Sequence, residues 1–241
     1  MLGARLDPKI DAPADEYPFL PAVHGLPGFR PHPEVTFLVG ENGSGKSTLV
    51  EAIAVASGFS HEGGPLGHEL GRAPQDSVSG LGDVLLIDGG PNKPKAGFFL
   101  RAESFFNVAS IIDGRDLVEI YGGRPMHAQS HGESFLALAS NRFGPNGLFI
   151  FDEPEAALSV TSQLAFIALM HRSAAMGSQF IVATHSPILL GYPGAVVYEA
   201  SEDGLERIEA GDADAVRLTR DFMLAPDRFL HYLFDDSDAA E

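Results

Sequence analysis

The run Gly40-Glu41-Asn42-Gly43-Ser44-Gly45-Lys46-Ser47 has the spacing G-x-x-x-x-G-K-[ST]. Its glycines let the backbone fold tightly enough for successive N–H groups to face phosphate oxygens. The helix that should follow adds the partial positive charge of its N-terminus. In such a cradle Lys46 neutralises the β- and γ-phosphates, and the Ser47 hydroxyl ligates Mg²⁺. Glu41, Asn42, Gly43, Ser44, Gly45 and Thr48 complete its lining.

Three further polar groups stand at the ends of apolar runs. Leu148-Phe149-Ile150-Phe151 is followed by Asp152-Glu153-Pro154. Asp152 is suited to hold Mg²⁺, and Glu153 to polarise an attacking water as general base. Phe180-Ile181-Val182-Ala183 ends in Thr184-His185, and the imidazole could donate a hydrogen bond to a γ-phosphate and sense its loss. Gln129-Ser130-His131-Gly132-Glu133 opens an apolar-faced helix, so Ser130, the Gly132 backbone and the helix start make a second anion site. One phosphate is already served by the first loop, so this second site is expected to serve the nucleotide of another subunit. Each group also has a plain structural explanation. A strand-end histidine is often merely a satisfied imidazole, and Ser130 could simply cap its helix. The order of the motifs favours chemistry for Asp152, Glu153 and His185. His24, His61, His68 and His171 have no such neighbours and are expected to be ordinary.

These groups need strands and helices to hold them. Val35–Val39 reads as a buried strand and Lys46 to Ser57 as a helix ending near Gly58. Strands are expected at Val84–Ile87, Phe98–Leu100, Leu148–Phe151 and Phe180–Ala183, and helices over Glu133–Asn141 and Ala156–Met176. Ala195–Glu199 and Leu205–Glu209 flank Glu202-Asp203-Gly204 as a hairpin. Two helices, Ala213–Met223 and Pro226–Phe234, follow, and a frayed tail closes the chain. The first 33 residues, with Pro18, Pro21, Pro27, Pro31 and Pro33, read as irregular. Apolar strands alternating with helices predict an α/β fold with a mainly parallel central sheet. Residues 1–241 are expected to form one domain.

Composition narrows the partners. The chain has 241 residues and a net charge of −17, which opposes nucleic acid phosphates and anionic membranes at long range. Nucleic acid is therefore a partner the charge does not support. There is no cysteine, which removes disulfides and thiolate metal sites. No apolar run approaches the roughly 18 residues of a membrane span. The expectation is a cytoplasmic protein without membrane insertion.

In this order and spacing the motifs resemble the ATP-binding-cassette ATPases. More narrowly, they resemble the heads of structural-maintenance-of-chromosomes and DNA-repair ATPases and small stand-alone bacterial AAA-family ATPases. The likeness is carried by residues 39–48, 98–104, 130–135, 152–159 and 183–187. It implies a P-loop ATPase that binds ATP with Mg²⁺ as a head-to-tail homodimer, each nucleotide lying between Lys46 of one chain and Ser130 of the other. Glu155 to Ser159 would be the loop that communicates across the interface. The family's usual Gln after the strand at Phe98–Leu100 is matched here by Glu103, a further metal-binding candidate. The signature departs from Leu-Ser-Gly-Gly-Gln, with His131 for its first Gly and Glu133 for its Gln. Only residues 104–129 separate these two motifs, and at about 1.5 Å per helical residue that allows a short lid, not a coiled-coil arm.

The resemblance implies ATP hydrolysis that switches an unknown protein partner. Two other functions stay open: the energising subunit of a membrane transporter, and a nucleotide-dependent binding switch that hydrolyses slowly or not at all. Adenine contacts are open as well. Tyr17, Phe19 and Phe29 could stack on a base or pack in the core.

Overall fold

The computed structural model describes residues 1–9, 23, 26–67, 80–90, 93–101, 105, 113, 123 and 125–234. Glu103, Tyr17, Phe19, the tail beyond 234 and nearly all of the expected lid fall outside these.

Among the described residues the central sheet has seven strands. In chain order these are β2 (Val35–Val39), β3 (Gly64–Pro65), β5 (Ala96–Arg101), β6 (Gly147–Asp152), β7 (Gln179–Ala183), β8 (Val196–Ser201) and β9 (Gly204–Ile208). Their spatial order is β3-β5-β6-β7-β2-β8-β9. The four pairings from β5 to β8 are parallel, and antiparallel β3 and β9 close the two edges. This is the expected mainly parallel α/β sheet. Helices α1 (Lys46–Ala56), α3 (His131–Arg142) and α4 (Val160–Ala174) supply the crossovers.

Alternation along the buried strands sorts their side chains into two cores. Phe37, Phe98, Phe149, Phe151, Phe180 and Val182 face one side, with α3 and α4. Leu38, Phe99, Ile150, Ile181 and Ala183 face the other, with Leu49 and Ile53 of α1. The first core is largely phenylalanine. Phe135, Phe143, Phe149, Phe151, Phe166 and Phe180 form a chain of ring contacts with centroids 4.7 to 5.9 Å apart. Each buried ring contributes about 1.5–3 kcal/mol by leaving water. Both faces being covered explains why the strands are continuous apolar runs.

Two expectations fail. The N-terminal segment is not wholly irregular: β1 (Gly3–Leu6) pairs antiparallel with β4 (Leu85–Asp88) in a separate two-stranded sheet. A four-residue strand among prolines and charges carries too little pattern to be legible alone. A four-residue helix, α2 (Leu81–Val84), leads into β4. The expected helix Ala156–Met176 is also broken. Residues Pro154–Ala157 form a 3₁₀ turn, Leu158 is extended, and Ser159 caps α4 by accepting the Ser162 N–H. A serine cap competes with helix continuation, so a short polar residue within an apolar run became a boundary.

After the hairpin β8–β9, helices α5 (Asp214–Leu224) and α6 (Pro226–Phe234) pack on each other through Phe222 and Phe229, 5.8 Å between centroids. They leave Leu218, Met223, Leu224, Tyr232, Leu233 and Phe234 exposed. No helix among the described residues is long and apolar enough to cross a membrane.

Candidate functional site

The parallel register aligns the ends of four strands. Leu38 pairs with Ala183, Ala183 with Asp152, and Asp152 with Arg101. Whatever follows each of these residues emerges on one edge of the sheet, the usual place for ligands in such folds.

From β2 the chain turns through Gly40 (φ +138°), Gly43 (φ +85°) and Gly45 (φ +90°), conformations costly to residues with a Cβ. At Gly40 the need is also steric, because a Cβ there would collide with the Ala200 carbonyl oxygen of β8. Gly45 is the N-cap of α1, which explains why the turn ends directly in Lys46. The Lys46 ammonium lies folded into the loop, donating to the carbonyls of Gly40 and Glu41, each at 2.8 Å. Burial pushes its pKa below the usual lysine value, against the opposing pull of Glu153, Asp152 and Glu155. Ser44 Oγ is buried and makes no hydrogen bond.

Ser47 Oγ donates to Asp152 Oδ1 at 3.1 Å, joining the first turn of α1 to the end of β6. Asp152 is buried and Glu153 is not. Glu153 has φ +51° and ψ +50°, a left-handed conformation that costs a non-glycine residue about 1–2 kcal/mol. Its N–H donates to the Ala183 carbonyl and its own carbonyl accepts from Ala156, so both flanking hydrogen bonds hold the conformation. The result turns the Glu153 side chain toward β7, where Oε1 lies 3.6 Å from His185 Nε2. That distance is an electrostatic contact, too long for a hydrogen bond. The His185 backbone N–H donates to Glu155 Oε1 at 2.6 Å. Ser186 secures the turn beyond it, accepting from the N–H groups of Ile188 and Leu189.

The structure therefore brings together Lys46, Ser47, Asp152, Glu153 and His185, five of the residues singled out from the sequence. Ser130 and Gly132 stand elsewhere. Ser130 is the N-cap of α3 in a closed capping box: its Oγ accepts the Glu133 N–H, and Glu133 Oε2 accepts from both the Ser130 N–H and its hydroxyl. Gly132 packs at the start of α4, where a Cβ would come within 3.3 Å of Ser162 Oγ and 3.4 Å of the Ala157 carbonyl. Neither residue's hydrogen bonds reach the loop of Lys46. Phe29 is fully buried against Tyr198, with ring centroids 5.0 Å apart, so it packs in the core and is not available to stack on a base. His171 is ordinary as expected, its Nδ1 lying 3.3 Å from the Tyr192 hydroxyl.

Two contributors have roles that the sequence did not indicate, although Arg101 and Glu155 both lie within the segments 98–104 and 152–159 that carry the resemblance. Arg101 Nη1 donates to Glu51 Oε2 at 2.7 Å, and Arg101 Nε lies 3.7 Å from Asp152 Oδ2. The available signal was Glu51 itself, a lone acid in the otherwise apolar second half of α1. The other contributor is the Glu155 carboxylate, which holds the backbone of His185.

Residues 35–104 match the family model whose description reads "AAA domain, putative AbiEii toxin, Type IV TA system". No curated protein matches the chain. Among solved structures, a nucleotide-free ATP-binding cassette from an ABC transporter is 17% identical with a TM-score of 0.44, covering 73% of this chain and 81% of that one. The cbiO1 protein of Clostridium perfringens, part of an ABC transporter complex, is 19% identical with a TM-score of 0.46, covering 85% and 88%. The SMC head domain from Thermotoga maritima is 14% identical with a TM-score of 0.43, covering 75% and 92%. Over residues 35–104, the segment that carries the Gly40–Ser47 loop, this chain is similar to the AAA domain of that family model.

Proposed function

We propose that the chain binds ATP with Mg²⁺, hydrolyses its γ-phosphate, and uses the cycle of closing and opening with a second copy to switch a protein partner. The observation that carries this is the Ser47–Asp152 hydrogen bond, which sets a hydroxyl and a carboxylate side by side beneath the loop of Lys46. Both are hard oxygen donors of the kind Mg²⁺ takes when phosphates supply the rest of its shell. The loop suits a triphosphate on two further counts. Gly40 leaves no room for a side chain, and the buried Ser44 hydroxyl lacks a partner that a phosphate oxygen would provide. Bound Mg²⁺ would neutralise charge on the transferring phosphoryl group.

The chain's own residues divide the remaining work. Lys46 exchanges the two carbonyls it now holds for phosphate oxygens, a stronger charge-assisted contact. The Glu153 carboxylate, more exposed than that of Asp152, orients and deprotonates the attacking water. His185, with its backbone tied to Glu155, donates to the γ-phosphate and reports its departure. Ser130 and the N-terminus of α3 contact the nucleotide held by the other copy. Glu103 is the further carboxylate proposed to bind Mg²⁺.

The test is Glu153→Gln. This variant keeps the cradle, so it should retain ATP, lose at least about 100-fold in turnover, and accumulate a nucleotide-dependent dimer. Light scattering that gives the same mass with and without ATP would refute closure of two copies.

A further inference from the structure

Asp152 has two carboxylate oxygens, and different elements engage them. Oδ1 accepts from Ser47 of α1, and Oδ2 faces the Arg101 guanidinium at the end of β5. Arg101 is itself held, since its Nη1 donates to Glu51 of α1 at 2.7 Å. Both carboxylates are nearly buried, with side chains 10% and 7% exposed, and Arg101 is three-quarters buried between them. An arginine suits this because its rigid planar fork can donate to Glu51 from one nitrogen while another keeps its charge beside Asp152, a fixed geometry that the flexible point charge of a lysine lacks. The pair register places Arg101 directly opposite Asp152 on adjacent parallel strands. Glu51 stands one helical turn beyond Ser47, so a single helix carries both the hydroxyl on one side of Asp152 and the anchor for the cation on the other.

We infer that Arg101 is a positioning residue for the metal ligand: anchored by Glu51, it holds the far oxygen of Asp152 so that the near one faces Ser47. Glu51 cancels the guanidinium charge, so the arrangement orients Asp152 without setting a net positive charge beside a cation. This rests on the nucleotide reading above and goes beyond it by naming the residues that make the metal part of the site work. Groups that orient a metal ligand from behind commonly change metal affinity about 10- to 100-fold when removed.

The decisive measurement is the calorimetric affinity of the full chain for a non-hydrolysable ATP analogue, taken with Mg²⁺ and again with EDTA. In the native chain Mg²⁺ should tighten binding. In Arg101→Gln that metal-linked gain should shrink about tenfold while the affinity in EDTA is unchanged. Removing Arg101 alone leaves Glu51 buried without a partner, so the double variant Arg101→Gln/Glu51→Gln is made as well, with thermal melts to establish folding. It should show the same shrunken gain. Arg101→Lys should recover part of the gain, because it returns the charge but not the fork. A full metal-linked gain in the folded double variant would overturn the inference and leave the nucleotide site standing. A native chain that ignores the analogue would overturn the nucleotide reading and the inference with it.

Discussion

The two anion-binding places read from the sequence are built by different means. The loop of Gly40–Ser47 is a tertiary object. Its lysine is folded inward, its serine is bonded to a residue 105 positions away, and a neighbouring strand's carbonyl forbids any side chain at Gly40. The start of α3 is a local object, closed by hydrogen bonds among Ser130, Glu133 and Ser134. The first leaves the buried Ser44 hydroxyl without a hydrogen bond. The second has satisfied its own groups and must open a capping box to take one. This contrast teaches that an anion site completed within the chain can be prepared in advance, whereas one expected to act on another copy needs a local cap to keep its helix folded meanwhile.

The largest break in the comparison should come from Lys46→Ala. Losing charge-assisted contacts of about 1.5–3 kcal/mol should weaken nucleotide binding by about 100-fold. Unaltered binding in a calorimeter would remove the phosphate role from this loop. Ser130→Asp comes next and separates the two roles of that position. Aspartate is as good a cap as serine, so thermal stability should stay within about 0.5 kcal/mol. A carboxylate there would repel a second copy's phosphate, so turnover should fall by about tenfold or more while binding of ATP to the monomer persists. Native turnover in that variant would confine Ser130 to capping.

The smallest effect concerns Glu51, whose pKa burial raises despite the pull of Arg101. A carboxyl with a raised folded pKa stabilises the fold most below about 4.5. It loses that contribution as pH rises through the folded value. Glu51→Gln carries no such dependence, so its melting temperature should gain on the native chain between pH 4 and pH 7. A constant difference across that range would show that Arg101 fully offsets the burial cost.

Much of the site was readable because its residues are punctuation. Gly40, Gly43 and Gly45 mark a turn that few other residues could make, and Asp152 and His185 interrupt apolar runs where a buried strand must end. The C-terminal helices were readable from their apolar spacing. Other features were not. The pairing of β1 with β4 joins short segments about 80 residues apart, and neither carries a periodic pattern. The break at Leu158–Ser159 lay hidden in an apolar stretch, since a serine can cap a helix or ride inside one.

The amino-acid sequence by itself determined the buried strands β2, β5, β6 and β7, the glycine-rich turn between β2 and α1, and the carboxylates at the end of β6, because these follow from local sterics and the need to bury apolar runs. Only the tertiary structure decided that Arg101, Glu51, Ser47 and Asp152 meet, that Glu155 holds His185, and that Phe29 belongs to the core. Those outcomes depend on the order and register of parallel strands, and register is set by packing two faces at once, a quantity no single segment contains.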